Sequence, residues 1–93
     1  MNINEMQKKI EEFEKKRGWD KTGMEKIVEF LEEDMELLKD NVGDKAGVDE
    51  KTIDIFVQLL QIARRNGTNL ESLFKEHLFE MEEKYPVKEN GSD

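Results

Sequence analysis

The chain has 93 residues, of which 23 are Asp or Glu and 15 are Lys or Arg, so its formal charge is −8 at pH 7. This length allows one domain with a small core, and the charge disfavours nucleic-acid backbones and anionic membranes as partners. The absence of cysteine excludes disulfide frameworks, zinc–thiolate sites and thiol nucleophiles. No run approaches the roughly 18 apolar residues of a membrane span, and we expect a cytoplasmic protein.

Two amphipathic helices are predicted in the first half of the chain. The first ends near Gly18, and its apolar stripe is Ile3, Met6, Ile10 and Phe13. The pattern Thr22-Gly-Met-Glu25 is typical of a capping box and predicts the start of a second helix that runs to about Asp40. The apolar side of this second helix consists of Met24, Ile27, Val28, Leu31, Met35 and Leu38.

Two further helices are predicted after a glycine-containing loop at residues 41–48. The third helix, about Asp49 to Arg65, is apolar around most of its circumference and is expected to be buried on nearly all sides. Its polar residues form one narrow stripe, Glu50, Asp54, Gln58, Gln61 and Arg65. A second capping-box pattern, Thr68-Asn-Leu-Glu71, predicts a fourth helix that ends by Pro86.

Four helices joined by short loops predict an all-α fold, a four-helix antiparallel bundle. We expect one domain over residues 1–86 and an unstructured tail over residues 87–93. Three amphipathic neighbours cannot easily cover so apolar a third helix in so short a chain. We therefore expect a homo-oligomer, a homodimer or a homotetramer, that buries this helix further.

Acidic residues at helical spacing on the second helix are candidate metal ligands. Glu33 and Glu36 are three residues apart, and Glu29 precedes Glu33 by four, so their carboxylates share one side. Carboxylate oxygens are the ligands that Mg²⁺ prefers, and a facing helix with a carboxylate could complete such a site. The alternative is an ordinary solvated face opposite the apolar side.

Asp54 is a sharper candidate because it stands between Ile53 and Ile55 in the most apolar segment of the chain. An isolated carboxylate buried there would cost several kcal/mol unless it were paired or bound to a metal. Two interpretations stay open: a metal or substrate role, or an ion pair with Lys51 one turn earlier on the same helix.

Trp19 and several basic residues are candidate contacts for a bound molecule. Trp19 follows Gly18 in a loop, where it either anchors one end of the bundle or covers a base or sugar. Lys15, Arg17 and Lys75 lie near helix ends, where the helix dipole explains basic residues without any ligand.

Taken in order, these segments resemble the MazG-like family of all-α nucleotide pyrophosphohydrolases. The resemblance covers Ile3 to about Pro86 and is most specific in the Arg-Gly-Trp-Asp element. The segments are Phe13-Glu-Lys-Lys-Arg17-Gly-Trp19-Asp20, Leu31-Glu-Glu33-Asp-Met-Glu36-Leu37, Glu50-Lys-Thr-Ile-Asp54-Ile, Asn66-Gly-Thr-Asn-Leu70 and Lys84-Tyr-Pro86.

The resemblance implies Mg²⁺-dependent hydrolysis, with Mn²⁺ as a substitute, of a nucleoside triphosphate to a monophosphate and pyrophosphate. It maps the Glu-x-x-Glu metal motif onto Glu33 and Glu36, with Glu33 as the carboxylate that takes the proton of the attacking water. It maps the second motif, Glu-x-x-Asp, onto positions 51 and 54, where the chain has Lys51 and Asp54.

Lys51 replaces a metal ligand by a cation, and two repairs are physically reasonable. In one, Glu50, four residues before Asp54, serves as the ligand instead. In the other, Lys51 takes the place of one metal's charge, which leaves a weak or inactive site.

The remaining assignments concern the substrate: Lys15, Arg17 or Lys75 meets the outer phosphates, and Trp19 covers the base. The competing function is a MazG-like pseudoenzyme or a non-catalytic helical interaction module. Lys51 is the feature that favours this competing class.

Overall fold

The computed structural model describes residues 1–87 and confirms an all-α bundle of four helices. Helix α1 is Ile3–Arg17, α2 is Met24–Asp40, α3 is Lys45–Asn66 and α4 is Leu70–Lys84, with a short 3-10 helix at Trp19–Lys21. No helix in this described range is long and apolar enough to cross a membrane. Of the predicted tail, residues 88–93 lie outside the described residues.

Glycines end the first and third helices, as their positions in the sequence predict. Gly18 has φ of 71° and Gly67 has φ of 67°, a left-handed conformation that costs a residue with a Cβ atom more than it costs glycine. At the start of α1, the side chain of Asn2 accepts from the backbone N–H of Glu5, and the side chain of Glu5 accepts from that of Asn2. This reciprocal cap fixes the first turn.

The other helix starts differ from the sequence prediction. Gly23, without a side-chain cap, precedes α2 where Thr22 was predicted, and Asn69 caps α4 where Thr68 was predicted. The carbonyl oxygen of Thr22 instead accepts from Arg65 Nε at 2.6 Å. Helix α3 begins at Lys45, inside the predicted loop, and Gly47 lies within its first turn.

Helices α2 and α3 lie antiparallel, and α1 packs against α3. The early part of α2 lies near the end of α3, since Thr22 contacts Arg65, and its later part lies near the start of α3, since Asp34 contacts Lys51. The buried residues of this three-helix unit are Glu14, Ile27, Leu60 and Ala63.

Helix α4 is attached to the rest of the chain at its start. Asn4 Nδ2 donates to Glu71 Oε2 at 3.1 Å, and Gln7 Nε2 donates to the carbonyl oxygen of Thr68 at 3.3 Å. After Glu71 every described residue of α4 is exposed. The Cα radius of gyration is 16.7 Å, against about 12 Å for a compact domain of this length, so the molecule is elongated.

The expected burial of α3 on nearly all sides is wrong for the single chain. Leu60 and Ala63 are buried, but Ile53 keeps 55% of its surface exposed, and Phe56 and Leu59 are exposed as well. The physical reason is that α4 extends away and leaves this apolar stripe of α3 without a partner helix.

Candidate functional site

A completely buried carboxylate, that of Glu14, holds two guanidinium groups of α3. Arg65 Nη2 donates to Glu14 Oε2 at 2.7 Å, and Arg64 Nε donates to Glu14 Oε1 at 3.1 Å. Gln61 Nε2 donates to Oε2 as well, at 3.2 Å. Such charge-assisted and partly bidentate contacts compensate the removal of the carboxylate from water.

The same arginines fix the segment that carries Trp19. Arg65 Nη2 donates to the carbonyl oxygen of Trp19 at 3.0 Å, and Arg64 Nη2 donates to that of Asp20 at 3.0 Å. Phe13 contacts the indole ring edge-on, with ring centroids 5.7 Å apart. The 3-10 helix is therefore attached to α3 through backbone groups, which leaves the indole ring of Trp19 half exposed.

Beside Trp19 lies a cavity of about 480 Å³, which we call the tryptophan cavity. Trp19 and Phe30 give it two aromatic walls, Lys26 supplies a cation, and Gln58 and Gln61 supply amide groups. The volume and this mixture of aromatic and polar groups are typical of small-molecule sites. The full lining is Glu14, Trp19, Thr22, Lys26, Ile27, Phe30, Gln58 and Gln61.

A second polar group of side chains surrounds Lys51, and we call it the Lys51 cluster: Lys51, Asp34, Glu50 and Asp54. Lys51 Nζ lies 3.4 Å from Asp34 Oδ1, 3.5 Å from Asp54 Oδ2 and 3.8 Å from Glu50 Oε1. The side chains of Lys51 and Asp34 are only 18% and 17% exposed. The pairing of Asp54 with Lys51, one of the two open interpretations, is present in the structure.

Lys51 stays a cation in this environment. Loss of water around its ammonium group by itself lowers the pKa of Lys51. The hydrogen bond to Asp34 and the charges of Asp34, Asp54 and Glu50 outweigh that effect and raise the pKa above 10.5.

Gln58 connects the Lys51 cluster with the tryptophan cavity. Its Nε2 donates to Asp34 Oδ2 at 2.6 Å, and the residue also lines the cavity. Gln58 Oε1 is buried and has no hydrogen-bond partner among residues 1–87. Because Asp34 accepts from both Lys51 and Gln58, it orients the amide and leaves Oε1 as an unused acceptor.

The predicted metal ligands fall into two sets. Glu33 and Glu36 line a shallow depression on the outer face of α2, together with Glu29 and Glu32. Asp54 and Glu50 belong to the Lys51 cluster. Within residues 1–87 no three acidic or histidine side chains converge as a metal-binding group.

These two sets differ in how they fit Mg²⁺. Glu33 and Glu36 offer accessible carboxylate oxygens, which suit an ion that retains waters and takes phosphate oxygens as further ligands. The second motif does not fit, because the ammonium group of Lys51 lies where a cation would meet Asp54 and Glu50.

Of the four predicted substrate contacts, only Trp19 lines the tryptophan cavity. The guanidinium of Arg17 stacks 3.5 Å over the ring centroid of Phe13, and Lys15 pairs with Glu11 at 3.9 Å. Lys75 lies on exposed α4 beside Phe79.

Four residues of the site were missed in the sequence: Glu14, Lys26, Phe30 and Asp34. A signal for the two acids was available in the narrow polar stripe of α3. Three members of that stripe turn inward, because Gln58 contacts Asp34 and both Gln61 and Arg65 contact Glu14. Polar residues on one side of an otherwise apolar helix require buried partners when that side faces another helix.

Comparison with known proteins gave no match to a family model, a curated protein or a solved structure. The MazG-like resemblance therefore remains a prediction from the residues quoted above.

Proposed function

We propose that this protein is a nucleoside triphosphate pyrophosphohydrolase of the MazG-like type, which releases pyrophosphate and a nucleoside monophosphate. The observation that carries the proposal is the tryptophan cavity, which is lined by residues of α2 and α3, the two helices that also bear the proposed carboxylates.

The cavity is suited to the nucleoside part of the substrate. Its volume of about 480 Å³ lies in the range of about 300–1,000 Å³ for small-molecule sites. Trp19 and Phe30 offer faces for base stacking, and Gln58 and Gln61 offer amide groups for base or sugar.

Along the helix axes, the proposed carboxylates Glu33 and Asp54 lie beyond the same end of this cavity. Glu33 is one turn beyond Phe30 on α2, and Asp54 is one turn before Gln58 on α3. Since the two helices are antiparallel, both steps lead in the same direction. A nucleoside in the cavity whose triphosphate left at this end would bring the phosphates to the level of Glu33 and Asp54 along the two helices.

The chain's own contribution to hydrolysis is positioning and proton transfer. Trp19 and Phe30 orient the base, and a carboxylate oxygen of Glu33 accepts the proton of the attacking water. Glu36 is the second carboxylate of the first motif. A Mg²⁺ or Mn²⁺ ion, when bound, supplies neutralisation of the phosphate charge and a water of lowered pKa.

We propose that the active unit is a homo-oligomer, because one chain leaves too much surface uncovered. The chain exposes 7385 Å², against about 5,600 Å² for a folded monomer of 11.0 kDa. The difference between these two areas is larger than the roughly 800 Å² that each partner buries in a standard interface. Apolar side chains of both α3 and α4 contribute to it, namely Ile53, Phe56, Leu59, Leu73, Phe74 and Leu78.

A second candidate function is a catalytically impaired nucleotide-binding module. The observation that favours it is Lys51, whose ammonium group neutralises part of the charge that would hold a metal at Asp54 and Glu50.

The test is pyrophosphate release from a panel of standard, deoxy and oxidised nucleoside triphosphates with Mg²⁺ or Mn²⁺. We expect release by the native chain, and a loss of about 100-fold or more in Glu33→Gln, the size of a general-base contribution. Glu25→Gln, an exposed acid on the same helix, is the matched control and should retain activity. Release from none of the substrates would overturn the proposal, and recovery in Lys51→Glu would establish the second candidate.

A further inference from the structure

The Lys51 cluster has an internal cation already in place. Its ammonium group contacts one carboxylate of α2, that of Asp34, and two of α3, those of Asp54 and Glu50. Asp34 also accepts from Gln58, so the ammonium group is held between the two helices that bear the proposed catalytic carboxylates.

The charge of the cluster depends on what stands at position 51. Three carboxylates and one ammonium group sum to −2. With Glu at position 51 the same site would sum to −4 and would need an additional divalent cation for the same balance. A lysine ammonium is a compact point charge with three donors. Its three charged neighbours here are all carboxylates, and that of Asp34 accepts a hydrogen bond from it.

We propose that Lys51 takes the place of one divalent cation, so that this chain binds one metal ion fewer than the same chain with Glu at position 51. This inference rests on the proposed function, since it concerns the metal content of that site. It assigns Lys51 a role in positioning Asp54 and Asp34 and in setting the number of metals, and no contact with the reacting atoms.

The experiment counts bound Mn²⁺ per chain by electron paramagnetic resonance, with an α,β-imido nucleoside triphosphate present as a substrate that cannot be cleaved. We expect Lys51→Glu to bind one Mn²⁺ more than the native chain. Lys45→Glu is the matched control, because Lys45 lies on the same helix in an exposed pair with Asp49 at 2.7 Å and makes the same change of charge. The control should bind the native number.

Lys51→Gln keeps the test decisive where Lys51→Glu does not fold, since it removes the ammonium without adding a fourth carboxylate. With Lys51→Gln we expect this additional Mn²⁺ to bind at least tenfold more tightly than it does to the native chain. An unchanged number and affinity in whichever of the two variants folds would overturn the inference.

Pyrophosphate release is scored separately, so the two proposals can fail independently. A higher Mn²⁺ count without any release would support the role of Lys51 and count against hydrolysis. Release with an unchanged Mn²⁺ count would support hydrolysis and count against the role of Lys51.

Discussion

Arg65 Nη2 donates to Glu14 Oε2 over 2.7 Å, and Glu14 has no exposed surface at all. Arg65 is itself largely buried, and Arg64 reaches the other oxygen of the same carboxylate. One acid of α1 is thus the shared partner of two bases of α3. A group of this kind stabilises the fold only while every member is present, because each buried charge depends on the others.

Glu14→Gln is expected to lower the free energy of unfolding by about 3–5 kcal/mol, since it leaves two guanidinium groups without their counter-ion. For a domain of this size that corresponds to a fall in Tm of at least about 12 °C. Urea denaturation followed by circular dichroism measures the change in the free energy of unfolding. Glu12→Gln, an exposed neighbour, is the control and should change stability by less than about 0.5 kcal/mol. A loss below about 1 kcal/mol in Glu14→Gln would contradict the ion-pair network.

Trp19 is the only tryptophan, so its fluorescence reports on the cavity wall directly. Arg65→Lys keeps the charge but loses the planar fork that donates to Trp19 and Thr22. We expect emission at longer wavelength and stronger quenching by acrylamide, because the 3-10 helix loses its attachment to α3.

The control for this fluorescence measurement is Lys16→Arg, a basic exchange at an exposed position of α1. It should leave the emission of Trp19 unchanged. Identical spectra for Arg65→Lys and the native chain would show that Arg65 does not position the indole ring.

The sequence predicted the helices well because their determinants are local. Apolar spacing defined α2 up to Asp40, and Gly18 and Gly67 take the left-handed conformation that ends α1 and α3. The helix starts were less accurate. The predicted caps Thr22 and Thr68 each lie one residue before the observed ones, Gly23 and Asn69, and local patterns do not separate neighbouring candidates.

The candidate site was predicted only in part because it depends on contacts between helices. Spacing identified Glu33 and Glu36 as neighbours on α2, but it carries no information on which side of α2 faces α3. That side holds Asp34, whose partners Lys51 and Gln58 lie 17 and 24 residues away along the chain. A burial pattern built on apolar residues alone overlooks acids that enter the interior with partners.

Stability at alkaline pH should depend on Lys51. Its pKa in the folded chain is raised above 10.5 by Asp34, Asp54 and Glu50 despite the opposing effect of burial. A raised pKa means that the stabilisation is fully present below about 10.5, the ordinary lysine value, and is lost as the pH rises through the folded-state pKa. The difference in Tm between the native chain and Lys51→Met should therefore shrink above that pH.

Comparison of the two proteins over pH 8–12 cancels the titration of groups common to both. The native chain should be the more stable at pH 8, by a margin that falls at the alkaline end. A margin that stays constant over the whole range would mean that the Lys51 cluster does not act through charge.

The exposed apolar stripe of α3 should be an interface in solution. Phe56 lies at its centre, and Phe74 on α4 is 54% exposed. The exposed apolar faces of α3 and α4 in one copy can therefore pack against the same faces in a second copy. We expect native chains at micromolar concentration to scatter light as a dimer or tetramer, and Phe56→Glu to give a smaller mass because a charge would be buried. Ala46→Glu, at an exposed position in the first turn of α3, adds the same charge away from Phe56 and should leave the mass unchanged. A monomeric mass for the native chain, with a Tm independent of protein concentration, would contradict the interface.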